Sequence, residues 1–343
     1  MGNVNINYQN SATSELEKGF LESLPNGYES FADVGKLSSL GIDALMSELG
    51  AIVSGRGGEV LSFFLVAFGA TLLIAFASLS SSPLSPSVRG GVGAAASMAM
   101  FAALYPLFCS VSEALEGING FFSALIPSLT SFLAIGGGVG TATGAASGLG
   151  ITLWLTGLIS GELLLPMTVA VFASSAISSS VGGASERVSA SISRSFKRLV
   201  GALGAVVAAA FSLQTYVSVA ADSVRMRAAK YAASGLIPVV GSTVSGALST
   251  LGGGLSLLGG IIGASSVAVI IAMALSPLVL LLLYKLALYV CTLFLEFTGT
   301  GNSSSVGAFS SALDALISVY VMTIIIYIFE IIVLIWGGKT VFG

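Results

Sequence analysis

GINGFFSALIPSLTSFLAIGGGVGTATGAASGLGITLWLTGLISG, residues 117–161, runs for 45 residues without a charged side chain. A second uncharged run, residues 231–284, lasts 54 residues. A water-soluble fold cannot leave stretches of this length uncharged, because its surface needs charge. Only 8% of the 343 residues are charged, against roughly 25% in soluble domains. The composition fits a chain whose solvent is mostly lipid. Backbone polar groups in a bilayer must be satisfied internally. The expected fold class is therefore all-α, a polytopic helical membrane protein.

Working outward from these runs, residues 60–80 (VLSFFLVAFGATLLIAFASLS) form a clean span, close to the ~20 residues a bilayer requires. Pro83 and Pro86 are expected to end it. Residues 90–112 give a second span bounded by Glu113, and residues 199–221 a third between Arg198 and Asp222. Residues 267–284 and the stretch beyond Lys285 read as a helical pair broken at Pro277. Residues 315–336 form the last span.

The segments between are rich in small residues. Gly140, Gly144 and Gly148 stand four apart, as do Gly157 and Gly161, and Gly259 and Gly263. That spacing puts small residues on one helix face, where backbones can approach closely. GGVGTATG (137–144) has neither dinucleotide-fold spacing nor a P-loop lysine. Close helix packing or a broken helix is the expectation there, not phosphate binding.

The chain also matches itself at a displacement of 111 residues. Tyr105 falls on Tyr216, Leu125-Ile126-Pro127 on Leu236-Ile237-Pro238, and Pro166 on Pro277. Five prolines lie beyond residue 100, and four of them form two pairs at this displacement. Two tandem repeats are expected, about 90–180 and about 201–291, with Pro127, Pro166, Pro238 and Pro277 as helix breaks. Duplicated halves with broken helices are common in transport proteins.

Residues 1–58 carry seven acids against Lys18, Lys36 and Arg56. They read as an acidic, largely helical, extracytoplasmic headpiece, with an amphipathic helix over 33–49. Residues 59–343 form the membrane domain. The first 20 residues are polar and lack the apolar core of a signal peptide. The headpiece is thus either translocated without a cleaved signal or belongs to a trimmed form. Arg187, Arg194, Lys197 and Arg198 make the densest basic cluster and are expected to be cytoplasmic. The same rule leaves Arg225, Arg227 and Lys230 on the wrong side of a single short span, so the side of 219–235 stays open.

No catalytic constellation is present. There is no histidine, hence neither the commonest general base nor the commonest metal ligand. Cys109 and Cys291 lie in apolar runs and read as small buried hydrophobes. No basic patch with interleaved aromatics suggests nucleic acid. Neither enzyme activity nor a cofactor is expected.

The informative residues are charges in apolar surroundings. Lys285 interrupts LLLLYKLALYV (280–290). A lone charge there costs on the order of 2.5–3.5 kcal/mol on insertion scales, so it needs a partner or water. Glu162, Glu296, Asp314 and Glu330 are the available acids. Lys285 lines a polar path with one of them, makes a structural ion pair, or snorkels to a nearby interface. Asp222, Arg225, Arg227 and Lys230 recur at helical spacing, as in an interfacial helix or a buried polar network.

The stretch VAADSVRMRAAKYAASGLIPVVGSTVSGAL (219–248) resembles the most distinctive segment of the stage III sporulation protein AE family. It carries a D-x-V-x-x-R-x-A-K run (Asp222, Val224, Arg227, Ala229, Lys230) followed by P-V-V-G (Pro238 to Gly241). The Y-K-L-A from Tyr284 to Ala287 and the pattern around Pro166 are similar to family features as well. The resemblance implies an integral membrane protein of endospore-forming bacteria in the mother-cell membrane. It implies partners: an ATPase, ring-forming proteins and further membrane subunits of a secretion-like channel linking mother cell and forespore. That assembly is needed for late forespore gene expression. Family members usually carry a signal peptide, and here the sequence departs from them.

Two readings follow: a channel-assembly subunit with a conduit or structural role, or an autonomous transporter or channel with its path at the repeat interface. A homo-oligomer is compatible with both. At the 111-residue displacement Lys285 falls on Ser174 and Asp222 on Val111. The charges do not repeat, which favours the subunit.

Overall fold

Long apolar stretches with few breakers should give long helices, and the computed structural model shows them. It describes residues 18–22, 24–25, 42–79, 86–135, 139–163, 241–298 and 304–342, with scattered positions from 166 to 224; all but Leu24, Pro25 and Thr298 are helical. The elements are α1 (Ile42–Leu79), α2 (Pro86–Ile135), α3 (Val139–Gly157), α4 (Gly241–Phe297) and α5 (Ser304–Phe342). A π-helical turn, Leu158–Leu163, continues α3. Pro86 is the first residue of α2, where a missing N–H costs nothing. At the end of α4 the Thr298 hydroxyl and amide bond the carbonyls of Leu295 and Phe294, each at 3.0 Å.

Among the described residues four helices are long and apolar enough to cross a membrane. The stretches are Gly50–Ala77, Gly90–Ser131, Ile262–Phe297 and Phe309–Ile335. The described elements are thus all helical, those of a membrane protein. The division expected at residue 58 falls inside α1, which runs through it unbroken.

Side-chain contacts give the packing directions. Arg56 of α1 bonds Ser110 of α2 at 3.3 Å, and Asn119 of α2 meets Thr156 of α3. Lys285 of α4 meets Asp314 of α5. Each of these pairs is therefore an antiparallel hairpin. Stacked Phe63 and Tyr284, 4.5 Å between centroids, and Phe68 edge-on to Phe294 make α1 and α4 parallel neighbours. α2 packs against α1, α3 and α4. The buried residues Phe63, Leu104, Phe122, Phe309, Tyr320 and Tyr327 belong to one contiguous core.

Two of the expected breaks need correction. α2 runs through Pro127, and α4 runs through Pro277. Proline removes the bond to the carbonyl four residues back, here that of Met273, and crowds the preceding turn. In that turn the Tyr320 hydroxyl of α5 donates to the neighbouring carbonyl of Ala274 at 3.1 Å, three residues before Pro277, as adjoining helices can do where a proline disturbs a helix in a membrane. Residues 90–112, expected to end at Glu113, likewise continue as helix to Ile135. Pro166 is helical and exposed, while Pro238 lies outside the described residues.

Hydroxyls buried in this apolar setting bond back along their own helices. Thr71 donates to the Ala67 carbonyl at 2.6 Å, Ser266 to Ile262 at 2.7 Å and Thr323 to Val319 at 2.9 Å. The backbone thereby gives each hydroxyl an acceptor within its own helix. Gly263 shows why small residues recur. A Cβ there would collide with the side chain of Ile335, so glycine lets α4 and α5 approach.

Candidate functional site

Among the polar contacts between the described helices, the deepest joins α2, α3 and α5. Glu330 is fully buried, in the apolar stretch Phe309–Ile335. One of its carboxylate oxygens, Oε1, accepts a hydrogen bond from the Thr152 hydroxyl of α3. One turn further, Thr156 meets the Tyr327 hydroxyl and donates to Asn119 Oδ1 of α2 at 3.0 Å. Phe122 lies against the Tyr327 ring, 4.6 Å between centroids. The second carboxylate oxygen, Glu330 Oε2, is buried without a hydrogen-bond partner.

Periodicity explains how two helices deliver these groups. Thr152 and Thr156 are four apart on α3, and Tyr327 and Glu330 three apart on α5, so each pair lies on one helix face. α3 can come close because Gly144, Ala145 and Gly148 are also buried along it. The π-helical turn begins two residues after Thr156, and such turns are frequent at functional sites.

Asp222 makes the second contact. It is 1% exposed and accepts from the backbone N–H of Thr141 at 2.5 Å, at the start of α3. The first amides of a helix have no partner within it and present partial positive charge. The carboxylate supplies that partner from another part of the chain. A Cβ on Gly140 would lie 2.9 Å from Asp222 Oδ1, so glycine is what lets the carboxylate in.

The third contact is the ion pair of Lys285 with Asp314 between α4 and α5, both side chains about 40% exposed. Of the four acids available in the sequence, the structure brings Asp314 to Lys285. Glu162 is exposed in the π-helical turn and Glu296 on α4, and neither joins the Glu330 cluster. Arg225, Arg227 and Lys230 lie outside the described residues. Asn119, Thr152, Thr156 and Tyr327 escaped the sequence reading. Uncharged polar residues are common in an apolar chain, and only their shared helix faces could have drawn attention.

Neither described cysteine forms a disulfide; Cys291 is buried and Cys109 partly so. Among the described residues no group of three or more His, Cys, Asp or Glu side chains gathers.

No solved structure matches the chain. A curated relative, stage III sporulation protein AE of Bacillus subtilis (strain 168), is 27% identical over 185 residues. That alignment covers 51% of this chain and 45% of the relative, so the chain spans about half the length of the relative it matches. The family profile of stage III sporulation protein AE matches residues 41–338, which include all five long helices almost entirely. The chain belongs to the stage III sporulation protein AE family.

Proposed function

We propose that the protein is an integral subunit of a secretion-like assembly joining mother cell and forespore, with a conduit or structural role in the mother-cell membrane. The family match over residues 41–338 carries this reading, together with four helices apolar enough to cross a membrane. The proposed partners are an ATPase, ring-forming proteins and further membrane subunits. The 111-residue self-match supports a duplicated membrane domain, and the lack of charge equivalence between its halves favours a subunit over a self-sufficient carrier. A second reading, an autonomous transporter, draws support from one observation: a buried carboxylate within the helix bundle.

Deletion of the chain from a sporulating host tests the proposal. Engulfment should proceed and late forespore gene expression should fail, with recovery on return of the wild-type chain. Normal late expression in the deletion strain contradicts the proposal. Lys285→Leu then separates the two roles. A conduit lined by Lys285 predicts loss of late expression at normal protein level, whereas normal sporulation reduces the Asp314 pair to a structural contact.

A further inference from the structure

We infer that Glu330 is a proton-binding site, and that its proton latches α3 against α5. Glu330 and Thr152 are both fully buried. The Thr152 hydroxyl lies between two oxygens, Glu330 Oε1 and the Gly148 carbonyl, the latter at 3.3 Å. A hydroxyl has one hydrogen to give, so beside an ionised carboxylate it serves only one of the two. A proton on Glu330 Oε1 completes the line. The acid donates to Thr152 Oγ1, and Thr152 donates to Gly148. Glu330 Oε2, which has no hydrogen-bond partner, is then an oxygen of a neutral acid. Leaving it bare costs far less than leaving bare one end of a buried charge.

The surroundings offer no substitute for that proton. On α5 the nearest titratable neighbour is Tyr327, one turn back, whose hydroxyl meets Thr156. α3 carries no titratable residue over Val139–Gly157, and Glu162 in the π-helical turn beyond it is exposed. α2 presents Asn119 and Phe122 at this level, and its Glu113 and Glu116 are exposed. α4 passes with Gly263 beside Ile331 and Ile335. Its first titratable side chain, Tyr284, stands 21 residues further on, roughly 31 Å at 1.5 Å per residue. Lys285 is bound to Asp314, 16 residues before Glu330. Among the described side chains no cation faces Glu330, so ionisation there leaves a charge in a low-dielectric interior.

Proton release therefore acts on one junction. α3 packs mainly against α2 and meets α5 over a smaller area. The Thr152–Glu330 and Thr156–Tyr327 contacts are a large part of that meeting. A charge on Glu330 draws water to this seam and loosens α3 from α5, while the α2–α3 hairpin is left in place. The sign of the pH dependence follows. The closed bundle holds a proton that an unfolded glutamate releases near pH ~4.3. Stability falls as pH rises above that value and levels off once Glu330 has ionised in the bundle.

The test uses the full chain purified in mild detergent. Between about pH 5 and about pH 9 the unfolding midpoint should fall by about 5 °C more in the wild type than in Glu330→Gln, which mimics the neutral acid. Amide exchange along α3, corrected for its intrinsic pH dependence, should speed up over the same range in the wild type only. The infrared band of a neutral carboxyl should be present at neutral pH, vanish in Glu330→Gln and survive Asp222→Asn. Thr152→Val should move that band, because the acid loses its acceptor, and this variant decides the matter if Glu330→Gln fails to fold. Parallel pH curves for the wild type and Glu330→Gln overturn the inference, as does a wild type without the neutral band. A band accompanied by α3 exchange indifferent to pH also overturns it, by making the proton a fixed part of the core. The measurements concern the chain alone, so their failure leaves the proposed place in an intercellular assembly untouched.

Discussion

Asp222 is the residue whose role the structure changes most. Its sequence setting suggests an interfacial helix or a polar network, yet its carboxylate sits at the start of α3 and holds the Thr141 amide. Asp222→Ala leaves that amide without its carboxylate, at a cost of about 1–3 kcal/mol. Gly140→Ala should act in the same direction, because its Cβ would press on the same carboxylate. Both variants should lower the unfolding midpoint in detergent, and the double variant should fall short of the sum, since both disturb one contact. Additive losses would mean that the two positions act independently. Charged residues were legible in the sequence, since Lys285 and Glu330 stand out in apolar runs. Their partners were not. Choosing Asp314 over three other acids requires the α4–α5 register, and the hydroxyls of Thr152 and Tyr327 carry no charge to mark them.

At the scale of helices, the sequence showed the spans of α1 and α5 well, because uninterrupted Leu, Ile, Val and Phe leave little alternative to a helix in lipid. It misplaced the ends of α2 and α4, because proline was expected to act as it does in water. The missing information was tertiary: Tyr320 of α5 reaches the Ala274 carbonyl beside Pro277. A thermodynamic cycle can measure this. Tyr320→Phe should destabilise the protein by about 1 kcal/mol. In a Pro277→Ala background the penalty should shrink, since without the crowding of the proline ring the Leu278 amide can close on the Ala274 carbonyl. An unchanged penalty in that background would show that the Tyr320 hydroxyl does nothing particular to the proline turn.

For the whole molecule, helix length is the informative quantity. The apolar stretch of α4 holds 36 residues, roughly 54 Å at 1.5 Å per residue, against a hydrocarbon core of about 30 Å. The observed contacts put the exposed charges Arg56 and Glu59 on the side of Phe63 and Tyr284 toward the start of α1, and the exposed Glu113 and Glu116 further along, toward the level of Asn119 and Tyr327. Exposed charge on these helix faces marks contact with water, since hydrocarbon would penalise each such group. Cysteines placed at Glu59 and Glu116 should therefore react with a membrane-impermeant maleimide, while one at Leu72, farther along α1, should not. Protection of Glu59 and Glu116 in intact membranes would contradict that contact. Composition alone made the membrane class legible, but partners leave no such trace in one chain. The most direct test of the central claim is a mild-detergent pull-down of the tagged chain from sporulating cells, with its co-purifying proteins identified by mass. Recovery with an ATPase, ring-forming proteins and further membrane subunits is the result expected of an assembly subunit. Recovery of the chain only by itself or with copies of itself would contradict the account.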